Sequence, residues 1–266
     1  MHQAGGRPRK QSDMKLLEIK GLTKRFGGLL AVDQLDFHLD EGEILGLIGP
    51  NGAGKTTVFN MITGTLRASR GDIVFKGKRI NGLKPNRIVK LGAVRTFQLT
   101  NLFMEMTALD NIILGTHHKS GIGLWATLFS TKGARKRETD ALEEAQKILN
   151  FMDLAAQKEM FAKNLPHGQQ RRLEVSVALA AEPRLLLLDE PLQGMNQEEV
   201  RDMVAKICKI RDEGRTILIV EHNMRAVTSI CDRLVVLNFG VKIAEGVPRQ
   251  VMHNPEVIEA YLGAES

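Results

Sequence analysis

A chain of 266 residues with 43% hydrophobic and 26% charged residues has the balance of a folded globular protein, long enough to bury a core without staples, which excludes disordered and fibrous classes. Its two cysteines, Cys208 and Cys231, lie in separate apolar runs with no CxxC or Cys/His cluster, so a disulfide or metal framework is not expected. The net charge of +6 is spread along the chain, apart from a basic start and the Lys132, Arg135, Lys136, Arg137 cluster; it reads as a solvated surface or as proximity to a membrane, with no nucleic-acid partner expected.

Met1 to Asp13 is rich in Gly, Arg and Lys but lacks the apolar stretch of a signal peptide, and is expected to be a disordered tail. No apolar run approaches the roughly 20 residues that span a bilayer, so the expected compartment is the cytosol. Alternation at Leu17 and Ile19, and again at Leu35, Phe37 and Leu39, predicts half-buried strands that open the domain as an antiparallel edge. The runs Ile44 to Ile48, Leu185 to Leu188, Thr216 to Val220 and Leu234 to Leu237 are apolar nearly throughout. They predict a parallel central sheet covered by helices on both faces.

Helical periods fall between these strands: Val58, Met61, Ile62; then Leu142, Ala145, Leu149, Met152; then Val200, Met203, Val204, Ile207. Strand signals nearly vanish from about Asn101 to Ala181, which predicts an inserted helical subdomain. Within it, Ser120 to Gly133, with Trp125 and Phe129, reads as a loop or short helix. The adjacent pair His117 and His118 lacks the further ligands of a metal site. The expected organisation is a basic tail over 1–13 and one domain over 14–266, with a core of about 14–99 and 182–250, a helical subdomain of about 100–181 and a C-terminal helix of about 255–262.

The strand Ile44 to Ile48 runs into Gly49-Pro50-Asn51-Gly52-Ala53-Gly54-Lys55-Thr56-Thr57 and then a helix, satisfying GxxxxGK[ST] in its strand-loop-helix context. Glycines let successive N–H groups turn inward, so a phosphate chain can sit in a ring of donors at a helix N-terminus. Lys55 adds a charge for the outer phosphates, and the Thr56 hydroxyl is placed to ligate Mg²⁺. Four leucines, Leu185 to Leu188, then deliver Asp189 and Glu190 at a strand's C-terminal end, where open α/β sheets hold their ligands. Asp189 is the candidate Mg²⁺ ligand and Glu190 the candidate group that polarises an attacking water.

Further residues resemble the ATP-binding cassette family, in its order and spacing, from about Met14 to Leu262. Phe26, in Lys24-Arg25-Phe26-Gly27-Gly28, stands where that family sets an aromatic ring against adenine. Gln98, in Arg95-Thr96-Phe97-Gln98, matches the glutamine that reaches the Mg²⁺ and nucleophile region and senses the membrane partner. Leu165-Pro166-His167-Gly168-Gln169 looks like the family signature LSGGQ, with Pro166 replacing serine and His167 the first glycine. Pro166 has no N–H, so the phosphate contact falls to Gly168 and its neighbours at a helix start. Gln193-Gly194-Met195-Asn196 occupies the family's D-loop, with Asn196 where aspartate is usual, and His222 matches the histidine that touches the γ-phosphate.

The resemblance implies a P-loop NTPase (RecA-like) α/β core with a parallel central sheet, an antiparallel β edge and an inserted helical subdomain. It also implies ATP and Mg²⁺ as ligands. Catalysis would rest on Glu190, His222, Gln98 and Lys55, and the metal on Thr56, Gln98 and Asp189. Pro166, His167, Gly168 and Gln169 would reach the nucleotide of a second subunit, in a head-to-tail homodimer or a heterodimer with a related ATPase. Integral membrane permease subunits would be driven from the cytoplasmic face of the inner membrane, with Phe103, Met104 and Met106 part of a groove for a permease helix.

Within the family, Leu165 to Glu174, Asp189 to Pro191 with Gly194 to Asn196, Glu221 to Met224 and Asn254 to Gly263 look most like ATPases of branched-chain amino acid importers. Urea or other amide importers and lipopolysaccharide-export ATPases share several of these stretches. A non-transport cassette such as an iron-sulfur assembly scaffold, and a phosphotransferase using the same cradle, are the competing readings.

Overall fold

The computed structural model describes residues 15–96, 102–120 and 132–262, the side chains of 117–120, 132–135 and 137 excepted. The chain opens with β1 (Lys15–Phe26) and β2 (Leu29–Asp40), paired antiparallel through Leu17 with Leu39, Ile19 with Phe37 and Leu22 with Leu35. These six residues are buried, as one apolar face of an alternating strand pair requires. Strands β3 (Ile44–Ile48) and β4 (Arg70–Phe75) follow, with α1 (Lys55–Ile62) between them. Then come β5 (Lys78–Arg79), α2 (Pro85–Leu91), opened by proline at its first position, and β6 (Ala93–Arg95).

Between β6 and β7 (Leu185–Asp189) the described residues form α3 (Ala108–Ser120), α4 (Lys132–Phe151), α5 (His167–Ala180) and two short 3-10 turns, with one isolated bridge joining Thr107 and Phe161. The rest runs α6 (Gln197–Asp212), β8 (Thr216–Val220), α7 (Met224–Ile230), β9 (Arg233–Asn238), β10 (Val241–Gly246), α8 (Pro248–Val251) and α9 (Pro255–Leu262).

Two sheets result. One is four-stranded and antiparallel, in the order β2-β1-β4-β5. The other is six-stranded, in the order β10-β9-β3-β8-β7-β6, parallel except for β10 at its edge. The uninterrupted apolar runs are sorted by the period of two along a strand. Leu45, Leu47, Leu185, Leu187, Leu218 and Val220 face α1 and the antiparallel sheet, forming one core with Val58, Phe59 and Ile62. Ile44, Ile48, Leu186, Leu188, Ile217 and Ile219 face the opposite way, against Leu173, Met203, Ile207 and Val227 of the other helices.

Burial on both faces is what makes each run apolar at every position. Gly46 is the exception within β3, because a Cβ there would lie 2.6 Å from Leu234 Cδ2 and 3.0 Å from Cys231 Sγ. The five parallel strands thus share one direction, and their C-terminal ends lie along one side of the sheet.

Candidate active site

The phosphate loop begins where β3 ends. Gly49 takes φ 149°, and a Cβ there would stand 2.1 Å from Leu237 O, so only glycine lets β3 turn beside β9. Gly54 caps α1 in the left-handed region at φ 101°, where a Cβ would stand 2.6 Å from Ala31 O. Gly54 has no side chain with which to cap this helix, and the first intrahelical bond runs from Val58 N–H to Gly54 O. The amides of the preceding turn are therefore the ones a bound anion can use.

The Gly240 N–H donates to Ala53 O at 3.0 Å and pins the loop from the β9 side. Pro50, Asn51, Gly52 and Ala53 form the crown of the loop, with Asn51 and Gly52 exposed. Lys55 is buried, its Nζ donating to Gly49 O and Pro50 O at 2.7 Å each. Burial pulls its ammonium below the usual lysine value, against the opposing pull of the Glu190 and Asp189 charges. Thr56 is exposed and Thr57 half-buried in the first turn of α1.

Asp189 is the last residue of β7 and Glu190 the first beyond it. Glu190 adopts φ 48°, an uncommon conformation for a side-chain-bearing residue, and its N–H donates to Val220 O at 2.9 Å. This sharp exit from the sheet sends the two carboxylates apart. Asp189 pairs with the buried Arg95 guanidinium, whose other amine donates to Asn60 Oδ1 of α1 at 2.6 Å and whose plane lies over the Phe59 ring.

Glu190 instead meets His222, with Oε1 to Nε2 at 2.7 Å. An ionised carboxylate only accepts, so in this contact the imidazole Nε2 carries the proton. Beneath both, Glu221 is buried and accepts from the Leu192, His222 and Asn223 N–H groups. Burial pushes its carboxyl up, opposed by those three donors, while the Glu190 charge adds to the upward push.

The signature segment starts α5. Pro166 is its cap residue and contributes no side-chain cap, leaving the N–H groups of His167, Gly168 and Gln169 at the helix start. Gln169 Oε1 is buried without a hydrogen-bond partner among the described residues. The segment after β7 packs on this helix start within the same chain. A Cβ at Gly194 would lie 2.7 Å from the His167 ring, one at Gly168 would lie 2.5 Å from Glu199 Oε1, and Arg171 donates to Gln193 Oε1 at 2.8 Å. Asn196 caps α6 in a full capping box, its Oδ1 accepting from Glu198 and Glu199 N–H while Glu199 accepts from Asn196 N–H.

Phe26 ends β1 and is 46% exposed, with the Lys24 ammonium 4.8 Å from its ring centroid. Phe103 and Met104 are exposed and Met106 half-buried, on the stretch that pairs with Ala162 and Lys163. Gln98, Trp125 and Phe129 lie outside the described residues, as does the tail before Lys15. Sequence reasoning did not single out Arg95 or Glu221 for a role. The only signal for either was a charge at the end of an apolar strand run.

Among the described residues no three His, Cys, Asp or Glu side chains converge on a cation. The donor set beside the phosphate loop, the Thr56 hydroxyl and the Asp189 carboxylate, is all oxygen and incomplete by itself. It fits a hard cation that arrives with phosphate oxygens of its own.

Residues 32–193 match the ABC transporter family profile, and residues 241–266 match that of the branched-chain amino acid ATP-binding cassette transporter. The chain is 45% identical to the high-affinity branched-chain amino acid transport ATP-binding protein BraF of Pseudomonas aeruginosa, over 93% of this chain and 98% of that one. It is 42% identical to LivG of Escherichia coli K12, a high-affinity branched-chain amino acid transport ATP-binding protein, over 93% and 98%. Among solved structures, it resembles an ATP-binding cassette of an ABC transporter in its ADP conformation, with TM-score 0.82 and 34% identity over 94% of this chain and 99% of the other. A dimeric bacterial ABC transporter cassette shares the fold at TM-score 0.74 and 24% identity, covering 88% and 99%.

Proposed function

The chain belongs to the ABC transporter family of ATPases, and we propose that it drives import of branched-chain amino acids through a separate membrane permease, from the cytoplasmic face of the membrane. The observation that carries the hydrolytic part is the Glu190 and His222 contact beside the phosphate loop. Support for the solute comes from the C-terminal match over 241–266 and from the names of the relatives. No described helix is long and apolar enough to cross a membrane, so the pathway for a solute would lie in another chain.

In this reading the adenine rests on the exposed Phe26 ring, and the phosphates enter the amide ring from Gly49 to Thr57. Lys55, now held by Gly49 O and Pro50 O, turns its ammonium to the outer phosphates. Thr56, Asp189 and Gln98 would hold Mg²⁺, which would neutralise phosphate charge when bound. Glu190 aligns the attacking water and accepts its proton. His222 exchanges Glu190 for a γ-phosphate oxygen, donating from the same Nε2. The helix start at Pro166 to Gln169 covers the γ-phosphate from a second ATPase subunit, with Gly168 and its neighbours supplying N–H groups.

Cleavage removes the group that both subunits hold, so the pair reopens; the difference in affinity between the two states is the stroke. Gln98, with Phe103, Met104 and Met106, would pass it to a permease helix. Pull-down of the full chain from detergent-solubilised membranes tests the assignment. A polytopic permease that recovers, with this chain, ATP-dependent uptake of radiolabelled leucine supports it, and uptake of urea or release of lipopolysaccharide in its place refutes the solute. Recovery of cytosolic assembly factors with no membrane protein refutes transport.

A further inference from the structure

Resting on the ATPase reading above, we propose that Glu221 is a positioning residue for hydrolysis: its carboxylate clamps the segment that follows Glu190 to the segment that carries His222. Glu221 is 4% exposed and stands at the end of β8, next to the end of β7 in the sheet. Its Oε1 accepts from Leu192 N–H at 2.7 Å, two residues beyond Glu190. Its Oε2 accepts from His222 N–H at 3.0 Å and Asn223 N–H at 3.3 Å. One buried side chain therefore ties together the two backbone turns whose side chains meet 2.7 Å apart above it.

The residue type follows from the donor count. Three backbone N–H groups converge on one side chain, and only a carboxylate presents acceptors at both ends with no hydrogen of its own. A glutamine of the same shape keeps one oxygen and must point an NH₂ group at a backbone N–H. Either the Pro191–Leu192 turn or the His222–Asn223 turn then loses its anchor, and the Glu190 to His222 spacing relaxes. Charge-assisted bonds to backbone N–H groups are the stronger kind, so this anchor is stiff where a hydroxyl or amide would be soft. Glu221 itself is sealed under the loops and touches no reacting atom.

A double-mutant cycle in the full-length chain tests the clamp, with phosphate release from MgATP as readout and an ATP titration for KM. Glu221→Gln is expected to lower kcat by about tenfold to a hundredfold, the scale of an ångström-sized misplacement, with KM within about threefold of wild type. In the Glu190→Gln background the same substitution is expected to cost less than about threefold, because there is no base left to align. A kcat loss of equal size in both backgrounds, a wild-type kcat, or a raised KM at unchanged kcat would overturn the clamp in favour of a merely structural acceptor. If the glutamine variant does not fold, Glu221→Asp, which keeps the charge but is shorter by a methylene, goes through the same cycle with the same outcomes. A wild-type chain that releases no phosphate would sink the ATPase reading and the clamp together, whereas an active wild type with an additive cycle sinks the clamp alone.

Discussion

His222 Nε2 and Glu190 Oε1 lie 2.7 Å apart across the C-terminal ends of the neighbouring strands β8 and β7. Because the carboxylate accepts, the imidazole is held in the tautomer whose Nε2–H is also the donor a phosphate oxygen would need. In the proposed function a γ-phosphate oxygen would be a second anionic acceptor for that same Nε2–H.

His222→Ala should lower kcat by about a hundredfold or more, the usual cost of removing one donor that stabilises developing charge. Steady-state phosphate release with increasing ATP checks it. A loss confined to KM would place His222 in ground-state binding only.

Lys55→Met should abolish the rise in melting temperature that MgATP gives the wild type, since a ligand stabilises only what it binds. The pH dependence of the nucleotide-free chain gives a second check. Burial lowers the folded-state value of Lys55 below its usual 10.5. The unfolded chain then holds more protons than the folded one in the window just below 10.5, so wild-type stability gains there as pH rises. Below that window the cost of the buried charge is fully present. Urea midpoints of wild type and Lys55→Met should therefore diverge in favour of wild type as pH rises toward 10.5. Parallel curves would mean that Lys55 keeps its charge at no cost.

Arg95→Met strands the Asp189 carboxylate that the guanidinium now pairs, and breaking a buried pair from one side costs about 3–5 kcal/mol. Denaturant unfolding of Arg95→Met should show that loss, and Arg95→Met with Asp189→Asn should recover part of it. Equal stability of the two variants would show that Asp189 is satisfied by other partners.

Asn196→Ala should destabilise the chain by about 0.5–2 kcal/mol through loss of the α6 cap, and Asn196→Asp by far less, because aspartate caps equally well. Denaturant midpoints decide it. If the aspartate variant loses as much as the alanine one, the cap is not what Asn196 contributes.

The central strands were plain in the sequence because burial on both faces leaves a run such as Leu185 to Leu188 no polar position to disguise it. The phosphate loop was equally plain, since Gly49 and Gly54 are dictated by a colliding Cβ and by positive φ, constraints that local sequence records directly. Arg95 and Glu221 were not legible in the same way. Each acquires its role from a partner far along the chain, Asp189 for one and Leu192 for the other, and a lone charge beside an apolar run does not say which backbone will meet it. Asn196 read as a departure from the family's aspartate, whereas the fold uses its amide oxygen as a helix cap that aspartate would also supply. The short edge strand β10 carried little signal, because among the described strands it pairs with β9 alone and its residues stay half-exposed.

Release of inorganic phosphate from MgATP by the full-length chain, with no acceptor substrate present, tests the hydrolytic centre most directly when wild type is set beside Glu190→Gln. The account predicts steady release by the wild type, a fall of about two to four powers of ten in the variant, and ATP affinity within about threefold between them. Near-wild-type release by Glu190→Gln, or label from the γ-phosphate found on an acceptor and not in free phosphate, would contradict it.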